Sequence, residues 1–341
     1  MSSTTLKILA RELRLSVATV SKALRDSHEI SNDTKEKVLA LAKKLNYVPN
    51  PYASSLRKRV SRTIAVVIPE VADSFFSEAI NGIESVAQDK GYHVLIYLTH
   101  ERYDREKAIL QEFQSGRVDG ILISVSGETS NSEHISQLIE AGIPVVFFDR
   151  VCENIGAARI ITDDFECGYK ATAHLIEQGC RKIVFLSASS SLSISNNRMD
   201  GYIKALEDHH FKKEQDDILV CGNDNDENYG LIIKKLSGKR RPDGIIACVE
   251  KFTPGIYIAC NDLHLSIPED VRVISFTNLP TAAILDPPLT TITQPAFEMG
   301  QAAALVLFKR LLKTNAYLEN ETVVIPSVLM IRCSSVRREV S

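Results

Sequence analysis

Residues 5–24 read Thr5-Leu-Lys-Ile-Leu-Ala-Arg-Glu-Leu-Arg-Leu-Ser-Val-Ala-Thr-Val-Ser-Lys-Ala-Leu24. Leu6, Leu9, Ala10 and Leu13 recur at i, i+3, i+4 and i+7, so the stretch opens with a short amphipathic helix that Thr5 can cap. After Arg14 and Leu15, Ser16 can cap a second helix. Val17, Val20 and Leu24 are expected to face inward in it, leaving Ala18, Thr19, Ser21 and Lys22 outward. A third helix fits Asn32 to Leu45, with Ser31 before it, Val38, Leu41, Ala42 and Leu45 as its apolar stripe, and Asn46 and Pro49 as its stop. Two short helices joined by a tight turn and buttressed by a third make a helix-turn-helix, whose second helix can enter a major groove. Small outward residues permit close backbone approach, and Thr19, Ser21 and Lys22 can bond phosphates or base edges. A three-helix bundle serving only protein contacts would show the same pattern.

Working outward, residues 1–60 hold twelve Lys or Arg against five Asp or Glu, a surplus of seven positive charges in a chain whose net charge is −3. The remainder is therefore acidic. Such segregation suits attraction to phosphates, although a solvated basic helical face would also produce it. Next comes Asn50-Pro-Tyr-Ala-Ser-Ser-Leu-Arg-Lys-Arg59, where Asn50 can cap and Pro51 can start a helix of about two turns, too short to stand alone in water. Leu56, flanked by Arg57, Lys58 and Arg59, suits a wedge in a minor groove. The alternative is a plain flexible linker.

Beyond residue 62, apolar runs of strand length at Ile64–Ile68, Val94–Tyr97, Gly120–Ser124, Val145–Phe148, Ile183–Leu186, Ile245–Cys248 and Val271–Phe276 alternate with helical patterns. The helices fit Ser77–Lys90, Arg105–Ser115, His134–Ala141, Gly168–Gln178 and Met299–Lys313. That alternation predicts an α/β fold, parallel sheets with helices on both faces. No internal repeat is legible. With 44% hydrophobic and 24% charged residues, the 341-residue chain has a globular composition. No apolar run approaches the roughly 18 residues that span a bilayer, and the polar N-terminus lacks a signal core, so a cytoplasmic protein without membrane contact is expected. The seven cysteines are scattered without a Cys-x-x-Cys, which indicates neither disulfides nor a zinc site.

The residues Leu15-Ser16-Val17-Ala18-Thr19-Val20-Ser21-Lys22-Ala23-Leu24, Leu45-Asn46-Tyr47-Val48-Pro49-Asn50 and Ser55-Leu56-Arg57 resemble the DNA-binding headpiece and hinge of the LacI/GalR family of bacterial transcriptional regulators. The resemblance continues through Thr63-Ile64-Ala65-Val66-Val67-Ile68-Pro69, Phe75-Phe76, Asp149-Arg150, Thr162-Asp163-Asp164, Arg198-Met199-Asp200-Gly201-Tyr202 and Pro287-Pro288-Leu289-Thr290-Thr291-Ile292. It implies a headpiece at 1–49, a hinge helix at 50–61 and a periplasmic-binding-protein-like (type I) core at 62–341. The core would divide into an N-subdomain near 62–160 and 293–325 and a C-subdomain near 161–292 and 326–341. Implied partners are a double-stranded DNA operator, a small-molecule effector such as a sugar, and a second copy of the chain; with no leucine heptads after Cys333, a homodimer rather than a tetramer is expected. The resemblance assigns DNA contacts to Thr5, Leu6, Ser16, Val17, Ala18, Thr19, Ser21 and Lys22, and to the hinge residues Asn50, Ala53, Leu56 and Arg57. It assigns effector contacts to Phe75, Phe76, Asp149, Arg198, Thr277 and Gln294, and it favours a repressor.

Three departures stand out. Arg14 occupies a turn position where the family usually has glycine. Thr277-Asn278 stands where sugar-binding members have an aspartate, and Cys248-Val249-Glu250-Lys251 replaces the usual Ala-Asn-Asp. The effector is therefore a different compound, an anionic one among the possibilities, or the site has lost its ligand.

No Gly-x-Gly-x-x-Gly, Walker loop or His-Glu-x-x-His occurs, and nothing resembles a nucleophile elbow, so no cofactor, metal or catalysis is expected. Asp224-x-Asp226-x-Asn228 begins like a calcium loop but has Tyr229 and Lys235 where glycine and glutamate are needed. The rival reading is a metabolite-binding or carbohydrate-modifying α/β protein whose basic segment is only an interaction tail.

Overall fold

The structure, a computed structural model, describes residues 5–47, 60–189, 191–212, 214–312 and 320–336. The hinge residues Asn50, Ala53, Leu56 and Arg57 lie outside them. The chain divides into two compact units, Met1–Ser61 and Arg62–Ser341.

In the smaller unit α1 (Leu6–Leu13), α2 (Val17–Ala23) and α3 (Asn32–Lys44) close over Leu9, Ala10, Val20, Ala23, Val38 and Ala42. Ser16 Oγ accepts the amide of Thr19 at 3.0 Å and Ser31 Oγ that of Thr34 at 3.4 Å, so both serines cap their helices. Thr5 makes no side-chain cap bond; its carbonyl accepts the amides of Ile8 and Leu9 instead. Arg14 is left-handed, at φ 53° and ψ 37°, and ends α1 while the amide of Leu15 reaches back to the carbonyl of Ala10. Val17, expected to face inward, is 43% exposed. It occupies the first helical position, where the chain has not yet turned onto the core, and Val20 and Ala23 supply the buried face.

The larger unit contains two six-stranded sheets. In the first, β1 (Thr63–Ile68), β2 (His93–Leu98), β3 (Gly120–Ile123), β4 (Val145–Phe148), β5 (Ala158–Ile161) and β11 (Thr322–Val324) run in the order β11-β5-β4-β3-β1-β2, all parallel. Helices α4 (Ser74–Asp89), α5 (Tyr103–Phe113), α6 (Glu133–Glu140) and α11 (Ala296–Leu312) accompany it. β1 is buried at every position, because Ile64, Val66 and Ile68 meet one helical layer and Ala65 and Val67 the other; strands covered on both faces read as continuous apolar runs.

The second sheet has β6 (Ile183–Ser187), β7 (Ile218–Val220), β8 (Gly244–Ala247), β9 (Arg272–Phe276), β10 (Thr290–Thr293) and β12 (Val328–Met330) in the order β12-β10-β9-β8-β6-β7, with only the β10–β12 pair antiparallel. Helices α7 (Asp164–Glu177), α8 (Ser193–Asp208), α9 (Asn225–Leu236) and α10 (Thr253–Asp262) go with it. The five-strand parallel order is the same in both sheets, a repetition of topology that the residues themselves do not display. The chain passes between the sheets after β5, after β10 and between β11 and β12.

Asp224 caps α9 by accepting the amides of Asp226 and Glu227, which accounts for the aspartates that mimic a calcium loop. All seven cysteines are free. Among the described residues no helix is long and apolar enough to cross a membrane.

Candidate functional site

The segments that follow β1, β4, β8, β9 and β10 converge where the two sheets face one another, at the strands' carboxyl ends where doubly wound sheets take ligands. They enclose a narrow cavity of about 20 Å³, room for one or two waters. All six residues that the resemblance named for effector contact, Phe75, Phe76, Asp149, Arg198, Thr277 and Gln294, line it. Asp73, Arg150, Ile194, Val249, Glu250 and Phe276 complete the lining. Sequence reasoning did not assign these six to the site, although Arg150 follows a quoted aspartate and Glu250 marked a departure.

Phe75 and Phe76 start α4, capped by Asp73 Oδ1 accepting the amide of Phe75 at 2.9 Å. Phe76 packs edge-on against Phe75 and Phe148 at centroid distances of 5.3 and 6.5 Å, so its ring belongs as much to the core as to the cavity. Asp149 holds a left-handed backbone, φ 60°, at the end of β4. Its carboxylate accepts from Ser124 Oγ at 3.3 Å and lies 3.8 Å from Arg150 Nε. Burial raises its pKa, an effect that Arg150 and Arg198 oppose.

Arg198, on α8, is 2% exposed. Nε donates to Asp164 at 2.6 Å, Nη1 donates to the carbonyl of Cys248 at 2.6 Å, and the guanidinium lies 4.3 Å over the ring of Phe276. Nη2 is buried without a hydrogen-bond partner and remains available to a ligand acceptor. Arg150 Nη1 is held by both oxygens of Glu101, at 2.8 and 2.9 Å.

The cleft is bridged across its mouth. Glu250 accepts from the amide of Ser74 at 3.1 Å, from Ser74 Oγ and from Thr277 Oγ1. Asn278 Nδ2 donates to Glu78 at 2.8 Å and to the carbonyl of Gln294 at 2.7 Å, while its Oδ1 accepts the amide of Gln294 at 3.0 Å. Ser191 Oγ donates to the carbonyl of Gly127 at 2.8 Å. The Thr277-Asn278 departure thus serves these bridges. Asp73 is pushed up to about 7 by burial and by the charges of Glu250 and Asp149.

In the smaller unit, Val17, Ala18 and Lys22 are exposed on α2, with Thr19 and Ser21 half-buried beside them. Ser16 Oγ lies 2.8 Å from Thr19 Oγ1, Lys22 bonds to Glu29, and Arg25 donates to Ser21 Oγ at 2.7 Å. Thr5 is exposed and Leu6 packs at the edge of the headpiece core.

Residues 61–333 match the family described as periplasmic binding proteins and sugar binding domain of LacI family, and residues 5–50 match bacterial regulatory proteins of the lacI family. The chain belongs to the LacI family. A LacI-family match that begins at residue 5 removes the reading of the basic segment as a mere tail. The HTH-type transcriptional repressor PurR of Vibrio vulnificus is 31% identical over 90% of this LacI-family chain and 92% of its own length. The ribose operon repressor of Haemophilus influenzae is 30% identical, covering 91% and 93%. Among solved structures, the lac repressor dimer bound to operator and an anti-inducer shares the fold, with a TM-score of 0.84 at 21% identity over 98% of this chain and all of that one.

Proposed function

We propose that this LacI-family chain is a cytoplasmic transcriptional repressor that binds a palindromic operator as a homodimer and takes a small molecule in the cleft. The observation that carries the DNA reading is the capped, outward-facing α2, with Val17, Ala18 and Lys22 exposed on a compact basic headpiece. Small side chains at the start of that helix let its backbone approach base edges, with Thr19, Ser21 and Lys22 supplying hydrogen bonds. Thr5, Leu6 and Ser16 would meet phosphates at its flanks. The relatives named PurR and ribose operon repressor support repression, and two half-sites require two headpieces. In the hinge, Leu56 would enter the minor groove between base pairs, with Asn50, Ala53 and Arg57 at the backbone.

For the effector, Phe75 offers an aromatic wall, Asp149 and Gln294 polar partners, and Arg198 a free Nη2. Glu250, held by Thr277, bonds to Ser74 across the cleft, and a ligand entering the cavity would have to break that bridge. Effector binding then acts on DNA by changing the angle between the sheets and the separation of the paired hinges.

Selection of sequences from a random double-stranded DNA pool by the full-length protein tests this reading. One palindrome with two half-sites is expected. Recovery of no motif, with or without added cell metabolite extract, overturns it.

A further inference from the structure

We infer that the effector is a polyol carrying an ammonium group, an aminodeoxy sugar or amino alditol, rather than a neutral or phosphorylated sugar; this rests on the reading of the cleft as an effector site. Five charged side chains line the cavity: Asp73, Asp149, Glu250, Arg150 and Arg198. Both arginines are already committed to carboxylates behind them, Arg150 to Glu101 and Arg198 to Asp164. Lys251, at the rim, donates to Asn223 at 3.1 Å and lies over the Phe252 ring. Of the three lining carboxylates, Asp149 has Arg150 Nε at 3.8 Å, and Asp73 and Glu250 form no ion pair among the described residues.

A carboxylate held away from water without a counter-charge is destabilised; Asp149 is buried and Asp73 and Glu250 are half-buried, and the raised pKa of Asp73 is one sign of that cost. A neutral sugar entering would leave the imbalance in place, and a phosphate would add to it. An ammonium group bound among Asp73, Asp149 and Glu250 removes it.

The second observation is Arg198 Nη2, unpartnered on a side chain that is 2% exposed. It calls for an acceptor, which a hydroxyl oxygen beside the amine provides. The rings of Phe75 and Phe276 supply the apolar surface that a carbon skeleton of this kind packs against. Ligand entry must open the bridges at Glu250 and Asn278, because the closed cavity is smaller than any sugar.

The test is calorimetric titration of the full-length protein with glucosamine, galactosamine and 1-amino-1-deoxysorbitol. Each is compared with its neutral counterpart (glucose, galactose, sorbitol), with the N-acetylated sugars and with glucose 6-phosphate. At least one amine is expected to bind ten-fold or more tightly than its neutral and acetylated counterparts. Glu250→Gln, and independently Asp149→Asn, are expected to erase that preference. A neutral or phosphorylated compound binding more tightly than every amine, or no amine binding at millimolar concentration, overturns the inference. Operator selection without ligand separates the two readings: an operator recovered alongside failed amines removes the ligand class and leaves the DNA reading standing.

Discussion

At the scale of single residues, two side chains sit in positions that ordinary preference disfavours. Arg14 ends α1 in the left-handed region, which costs an L-residue about 1 kcal/mol relative to glycine. Glycine carries no such cost, so Arg14→Gly should stabilise the headpiece by about 1 kcal/mol and slow amide exchange at Leu9 and Val20 about five-fold. Unchanged or faster exchange would show that the turn stores no strain. The residue's exposed charge offers a reason to keep it, as a cation near DNA.

Asp73 gives the second residue-scale prediction. Its folded pKa of about 7 lies above the ordinary value of 3.8, so between those values the native state binds more protons than the unfolded chain. This group's contribution to stability therefore falls as pH rises through that window, by up to about 4 kcal/mol, and stays low above it. Asp73→Asn keeps a capping oxygen and removes the titration. In urea denaturation, the stability of the natural chain minus that of the variant should drop between pH 4.5 and pH 7.5; an equal difference at both pH values would refute the burial argument. Neither Asp73 nor Glu250 was legible as a site residue, because their meaning lies in a juxtaposition of distant segments, where Ser74 beside Asp73 bonds to Glu250 across 176 residues of chain.

At the scale of elements, helix pairs make the two halves alike. α4 crosses α11 so closely that a Cβ on Gly82 would lie 2.0 Å from the carbonyl oxygen of Phe297, and one on Gly300 would lie 2.1 Å from that of Ala79. α7 crosses α8 in the same way, with Gly168 against Arg198 and Gly201 against Phe165, both at 2.0 Å. This second crossing brings Arg198 to Asp164 and so builds one side of the cavity. Gly168→Ala should destabilise the core by about 3 kcal/mol and weaken effector binding, whereas Gly230→Ala, on α9 with open space around it, should be neutral or stabilising by up to about 1 kcal/mol. Equal melting points for the two variants would refute the tight crossing.

The same elements show where the sequence speaks and where it is silent. β1 was legible because both its faces are buried, and α3 because its apolar stripe is regular. α8 was not, since Ser195, Arg198 and Gly201 interrupt its inner face between Ile194 and the apolar Tyr202, Ala205 and Leu206, and its start lies in a run of serines and asparagines. β10 is Thr-Thr-Ile-Thr and β5 contains Arg159, so neither reads as a buried strand. Helices α4 and α7 begin earlier than expected, at Ser74 and Asp164, because their first turns face the cleft and carry polar or aromatic residues instead of the periodic pattern. Polar positions that belong to the site are thus the ones that periodicity overlooks.

At the scale of the whole molecule, the division of charge is a division of labour. The first 60 residues carry a surplus of seven positive charges and the rest an excess of ten negative ones. The basic segment is thereby attracted to DNA and the acidic body repelled from it, so operator binding is expected to rest on the first 60 residues, headpiece and hinge together. Each phosphate neutralised by Lys or Arg releases condensed counterion, and log affinity falls by roughly 0.9 per contact for each unit of log salt. On the proposed homodimer, two headpieces making even three or four such contacts each predict a slope of about −5 or steeper on the selected operator. Residues 62–341 alone, a compact unit with its own core, should remain folded and lose operator binding at every salt concentration. A shallow slope for the full chain, or retained binding by the truncated one, would move DNA recognition away from the basic headpiece and into the body, whose net negative charge opposes it.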